Sequence, residues 1–254
     1  MSMHLAAYQS SITNDSALHQ LTGVTDPILR ASGNGFQVNP QLTKVGSLWV
    51  TGTSALRAQL QSQSLRAQPF PTFQPVNVGA ANESPPRIAD LWDSPLVLAA
   101  YEELDAFAAQ NNATSSETET LFAIFFDSLN PRQSGQYLRA RFTATTTLVA
   151  NAWTAIVPAF DQALQVGTYA ICGGWVFSTG GLAFRIVPAS GPPYRPGGLM
   201  VQAPDGMIPE FQKPGRLGQW MTFDSLTPPE LECFSVSADT AENGELYLLP
   251  IQLR

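Results

Sequence analysis

Two histidines, two cysteines and two closely spaced glutamate pairs are the side chains of this 254-residue chain that most invite a chemical reading. Glu102/Glu103 and Glu230/Glu232 would supply an acid and a base for glycoside hydrolysis if two carboxyls faced each other across a cleft. Their spacing argues otherwise. Adjacent Glu102 and Glu103 fit the solvated face of a helix, and Glu230 and Glu232 alternate with Leu231 and Cys233 as the outer face of a strand. His4 and His19 both fall in the N-terminal stretch, so the strand-rich body offers no imidazole to a histidine–carboxylate metal site or to a nucleophile. They read as exposed or packing residues. Cys172 and Cys233 read as buried free thiols rather than a disulfide, and with two remote histidines they make no zinc set.

No Gly-x-Ser-x-Gly elbow occurs, and Gly173-Gly174, Gly180-Gly181 and Gly197-Gly198 have no following helix to present to a phosphate. Asp90, Asp93, Asp205, Asp224 and Asp239 sit in or near loops without the dense spacing of a calcium loop; Ca²⁺ is the one ion they leave open. The expectation is a protein with no catalytic, cofactor or metal residues, and hence not an enzyme. Trp49 and Trp175 lie in apolar strand patterns, and with Trp92, Trp153 and Trp220 they are assigned to core packing rather than to a sugar platform. The loop Tyr194-Arg195-Pro196-Gly197-Gly198 and the stretch Phe211 to Trp220 are the best candidates for an exposed recognition surface.

The elements that must position these residues are strands. Short apolar runs rich in Val, Ile, Thr, Phe and Trp are punctuated by 19 glycines and 20 prolines, which predicts an all-β sandwich or barrel. The clearest runs are Ser47 to Thr53, Leu138 to Val149, Thr168 to Phe177, Leu182 to Val187 and Glu245 to Leu253. Asp93-Ser94-Pro95, followed by Leu96, Val97, Ala100 and Leu104, predicts one short helix near residues 95–103. The proline-rich stretches at 69–75, 85–86, 188–196 and 228–229 predict loops or edge segments.

Charge narrows the partners. Asp, Glu, Lys and Arg make up only 13% of the chain, against about 25% in an ordinary globular protein. Net charge is −7, and neither end carries a basic arm, so direct nucleic-acid binding is not expected. No apolar run reaches the roughly 18 residues of a membrane span, and the start, MSMHLAAYQSS, lacks a signal-peptide layout.

Compared with itself, the chain repeats. Val45 to Gly52 matches Val166 to Gly173, and Arg87-Ile88 with Trp92 matches Arg216-Leu217 with Trp220. Leu104 to Ala109 then matches Leu231 to Val236, and Leu121 to Ile124 matches Leu246 to Leu249, in the same order and nearly constant register. Tandem duplication is the expectation, with an N-terminal extension at 1–20, a first sandwich at 21–130 and a second at 131–254.

Two tandem sandwiches, few charges and no chemistry make a building block whose surface is covered by neighbours. The architecture resembles the double jelly-roll major capsid proteins of tailless icosahedral viruses. That resemblance implies two jelly-roll-like β-sandwiches side by side, homotrimers with pseudo-sixfold symmetry tiling an icosahedral shell, and assembly into virions in the host cytoplasm. It also implies neighbouring capsomers, minor capsid proteins or an internal membrane as partners, with residues 1–20 pointing inward or clamping a neighbour. The rival readings are a spike, fibre or lectin-like carbohydrate-binding sandwich and a carboxylate-dependent glycosidase.

Overall fold

Apolar residues recur at every second position or in unbroken runs bounded by Gly, Pro and Asn, so the regular structure of the chain is almost all strand. The computed structural model describes residues 2–52, 55–67, 73–74, 88–110, 115–128, 131–202, 206–240 and 242–253. Two units divide the chain: His4–Asp127, and Ser128–Arg254 with Met1–Met3.

The first unit contains β1 (Met3–Ile12), β2 (His19–Gly23), β3 (Arg30–Ser32), β4 (Gly35–Gln37), β5 (Lys44–Thr51), β6 (Ala55–Gln61), helix α1 (Gln63–Arg66), β7 (Phe73–Gln74), β8 (Ala89–Asp90), β9 (Leu96–Val97), β10 (Glu103–Gln110) and β11 (Glu117–Phe126). One layer runs β1-β11-β5-β8, with β9 also on β5; the other is built on β10, which pairs with β2, β4 and β6, while β6 pairs with β7. β2 also pairs with β1, so hydrogen bonding continues from one layer to the other. The second unit contains β12 (Leu138–Ala144), β13 (Trp153–Ile156), β14 (Ala159–Phe160), β15 (Gly167–Phe177), β16 (Gly181–Val187), β17 (Gly197–Leu199), β18 (Met221–Asp224), β19 (Glu230–Ser235) and β20 (Glu242–Leu253). Its layers are β14-β12-β20-β15-β18 and β13-β19-β16-β17.

Among the described residues, setting aside β3, β4 and β9 in one unit and β14 in the other leaves eight strands apiece. In both units the first, eighth, third and sixth lie in one layer and the second, seventh, fourth and fifth in the other. This is the jelly-roll order, in which strands of opposite ends of the chain pair inside each sheet. The chain is therefore all-β, with jelly-roll-like sandwiches.

The cores are assembled from cross-strand pairs. Trp49 on β5 stacks on its register partner Phe122 on β11 at 5.3 Å between ring centroids. In the second unit Trp153 meets Phe234 at 5.3 Å and Phe142 meets Phe160 at 6.1 Å, again as register partners. Such pairs place large rings on one face and so fix the register as well as filling the core. Along β12 the alternation is visible in sequence: Ala140, Phe142 and Ala144 are buried while Arg139, Arg141 and Thr143 are exposed.

Two expectations fail here. The helix near 95–103 is absent: Leu96 and Val97 form β9 against Val45 and Lys44, and the Leu98 amide donates to the Thr43 carbonyl. Pro95 suits an edge segment as well as a helix start, and pairing with β5 buries Leu98. The α-helix lies instead at Gln63–Arg66, where the Ser62 hydroxyl caps the Leu65 amide. Nor is 1–20 an extension. Met3–Ile12 is an interior strand between β2 and β11, and Met3 to Tyr8 are all buried. Buried on both faces, β1 lacks the alternation that marks a half-buried strand.

The proline stretches at 188–196 and 228–229 are loops. Those at 69–75 and 85–86 lie outside the described residues apart from Phe73–Gln74, which forms β7.

Candidate functional site

The four glutamates weighed as catalytic pairs are held in other roles. Glu102 reaches α1, where its carboxylate accepts from the Ser64 amide at 2.9 Å, from the Ser64 hydroxyl, and from the Ala99 amide at 2.9 Å. Burial opposes its charge, but these hydrogen bonds outweigh it and hold the carboxyl below the usual range. Glu103 is exposed at the start of β10. Glu230 is exposed at the start of β19, whereas Glu232 is flanked by two guanidinium groups, Arg185 and Arg195, each at 2.5 Å. Arg185 is itself buried and lies 4.1 Å from the centre of the Trp153 ring.

The imidazoles are local. His4 is fully buried on β1 with its Nε2 at 2.9 Å from an Asp26 oxygen, and His19 lies 2.7 Å from Asp15. Cys172 on β15 and Cys233 on β19 are free and buried, and burial pushes the Cys172 thiol up to about 11 and Cys233 further still. Neither is poised as a thiolate nucleophile.

The loop aspartates are not gathered. Asp90 accepts from the Trp92 amide and Asp224 from the Leu226 amide. Asp239 binds the turn between β15 and β16, taking hydrogen bonds from the Ser178 hydroxyl at 2.6 Å and from the Thr179 amide and hydroxyl at 2.9 Å. Burial works against that charge, yet these donors bring its carboxyl down to about 2. Asp205 lies outside the described residues, and Asp93 stays in the turn before β9. Among the described residues no three of His, Cys, Asp and Glu cluster as metal ligands.

Two carboxyls that sequence reasoning passed over are the most perturbed. Glu119 on β11 and Glu242 on β20 are buried, and neither oxygen of either has a hydrogen-bond partner. Burial, then the neighbouring Glu117, raises Glu119 to about 8; burial, then Asp239, raises Glu242 to about 7. Both stand near the start of the last strand of their unit. The only hint in sequence is Glu119 in Glu-Thr-Glu-Thr, which reads as a polar strand end.

The two stretches singled out as an exposed recognition surface are largely buried, Pro196 to Gly198 in one and Phe211, Gln212, Leu217 and Trp220 in the other, although parts of both border one cavity. A cavity of about 410 Å³ in the second unit is lined by Tyr194 from the β16–β17 loop and by Gln219 and Trp220 at the entry to β18. Thr168, Thr222 and Asp224 complete its polar side. Trp49, Trp92 and Trp220 are core residues, as their sequence settings predict, while Trp153 and Trp175 are half-buried.

No family model and no curated protein sequence matches the chain. Among solved structures it is similar to the major capsid protein P2 from bacteriophage PM2, at 11% identity and a TM-score of 0.23, with 93% of this chain and 98% of that chain covered. Among the described residues no helix is long and apolar enough to cross a membrane.

Proposed function

We propose that this chain is a virion structural protein, a major capsid protein whose two sandwiches fill adjacent positions in a homotrimer of pseudo-sixfold symmetry, with trimers tiling an icosahedral shell. The observation that carries the reading is the strand order. Two consecutive units share the 1-8-3-6 and 2-7-4-5 layers of a jelly roll, and the matched sequence blocks lie on strands of the same rank: β5 with β15, β10 with β19 and β11 with β20. Tandem duplication accounts for both the order and the blocks.

The surface supports the same reading. With only 13% charged residues the chain leaves apolar side chains in water, among them Val166, Leu226 and Ile251, which are 40%, 67% and 53% exposed. These three flank one end of the β20-β15-β18 sheet, where Gly167 pairs with Leu253 and its amide donates to the Ser225 hydroxyl. Apolar groups gathered at a strand end are suited to burial against another subunit. We read the chain as non-enzymatic, because Glu102 and Glu232, weighed as catalytic carboxyls, are taken up by the Ser64 and Ala99 amides and by the Arg185 and Arg195 ion pairs. Neighbouring capsomers are its principal partners, with minor capsid proteins or an internal membrane beneath the shell.

Size-exclusion chromatography with light scattering tests the proposal. A species of three chains, or closed shells, is expected at micromolar concentration. A monodisperse monomer across concentration and salt would contradict it.

A further inference from the structure

The outer face of β12 carries charge that shell building leaves unused. Alternation along the strand sends Arg139 and Arg141 outward while Ala140 and Phe142 face the core, so the two arginines leave the strand about 7 Å apart on one surface. A single carboxylate lies against both. Glu245 on β20, the register partner of Arg141, has a side chain only 3% exposed; its Oε1 lies 3.0 Å from Arg139 Nε, and its Oε2 accepts from Arg141 Nε at 3.3 Å. Arg139 also lies 6.0 Å from the centre of the Tyr247 ring, in reach of its hydroxyl. These contacts use the inward side of each guanidinium. Both side chains stay 64% and 67% exposed, and each guanidinium carries more N–H donors than these contacts consume. One buried carboxylate thus orients two arginines and leaves one positive charge uncompensated.

A depression of about 700 Å³ opens beside the pair, walled on its other side by the β14–β15 loop, and its volume is within the roughly 300–1,000 Å³ of small-molecule sites. The Asp161 amide donates to the Arg141 carbonyl at 3.0 Å and fixes the loop against β12. Asp161, Gln162 and Gln165 line the space as exposed residues, and among the described residues the Asp161 carboxylate makes no ion pair. The rest of the lining is apolar except for Tyr169, whose hydroxyl donates to the Gln165 carbonyl at 2.8 Å. Guanidinium donors on the β12 side therefore face one space with a carboxylate on the loop side. A simple anion gains the arginines but meets Asp161. A ligand with an anionic and a cationic end satisfies both. The anionic end suits phosphate, whose oxygens match paired guanidinium N–H groups. The cationic end suits a primary ammonium, which donates N–H to carboxylate and amide oxygens, whereas a quaternary ammonium calls for an open aromatic face and Tyr169 is 1% exposed.

We propose that this depression binds a phosphoethanolamine group, with Arg139 and Arg141 taking the phosphate and Asp161 the ammonium. That group has two sources, a lipid headgroup and a soluble phosphodiester. A headgroup fits the internal membrane proposed above as a partner, but the site lies wholly within the second unit and does not depend on assembly, so its failure and that of the shell reading are separable.

Isothermal titration calorimetry on the full chain at low salt, with glycerophosphoethanolamine, inorganic phosphate and ethanolamine as separate probes, tests it. Millimolar binding of glycerophosphoethanolamine is expected, tighter than that of either fragment. Arg141→Gln should weaken it about tenfold, the loss of one charge-assisted contact. Asp161→Asn, at an exposed loop position, should weaken glycerophosphoethanolamine yet strengthen inorganic phosphate, an exchange of preference that a merely structural role does not produce. Thermal melting of each variant establishes that it is folded. Sedimentation with vesicles of phosphatidylethanolamine and phosphatidylcholine, against vesicles of phosphatidylcholine alone, separates the sources: retention on the first only assigns the headgroup, and binding of the soluble probe without retention assigns a soluble phosphodiester. No saturable binding of glycerophosphoethanolamine, binding no tighter than that of inorganic phosphate, or affinities unaltered in both variants would overturn the proposal.

Discussion

Glu119 and Glu242 place a buried, unpartnered carboxyl near the start of the closing strand in each unit. Their folded-state values of about 8 and about 7 lie above the unfolded value of 4.5. A raised value means that stability is fully present below pH 4.5 and is lost as pH rises through 7 to 8. Asp239 works in the opposite sense: its value of about 2 gives stability that is present above pH 3.8 and lost as pH falls through 2. The denaturant midpoint should therefore peak near pH 4 to 5 and fall by pH 9, with a loss on the order of 8 kcal/mol for the two glutamates together. Glu119→Gln should remove at least half of that slope, and an unchanged slope in the double glutamine variant would refute the assignment. Gln212 is a second residue with a measurable role. Fully buried, it donates to the Gly174 and Leu199 carbonyls and accepts from the Leu199 amide, joining β15 of one layer to β17 of the other. Gln212→Ala strands three backbone groups and should cost about 3 kcal/mol in urea unfolding.

At the scale of elements, strands that alternate or carry runs of β-branched and aromatic residues were legible in sequence. The observed β5, β12, β15, β16 and β20 overlap the runs read from composition. Two elements were not. Residues 95–103 carry apolar side chains at helical spacing, but Leu98 and Leu104 are buried by strand partners rather than along a helix face. Met3–Ile12 shows no alternation, because β1 lies between β2 and β11 and is covered on both faces. Removing residues 1–12 should therefore unfold the first unit instead of trimming an arm. Amide spectra or limited proteolysis would show it, and a truncated chain with a protected 13–127 region would refute it. The cavity was half legible. Its two segments stand out as aromatic, Gly/Pro-rich loops, but their meeting depends on the β15–β18 pairing, which joins residues 50 to 56 apart. Glu119 and Glu242 could not be found from sequence, since polar letters at a strand end do not announce burial.

At the scale of the molecule, low charge and shared strand order bear on one claim. A chain with 13% charged residues and net charge −7 has little Coulombic attraction to offer a neighbour, so assembly should rest on apolar contact. Raising salt from 0.1 to 1 M should leave the oligomer intact, because it screens charge without weakening apolar burial. The exposed Leu226 and Ile251 are the groups to alter, and Leu226→Asp with Ile251→Asp should dissociate the oligomer while each unit stays folded, as read by light scattering and circular dichroism. Negative-stain microscopy of the purified chain tests the central claim most directly. Six-lobed trimers, alone or tiled into closed shells, are the predicted result; isolated two-lobed particles at every concentration and salt would contradict it.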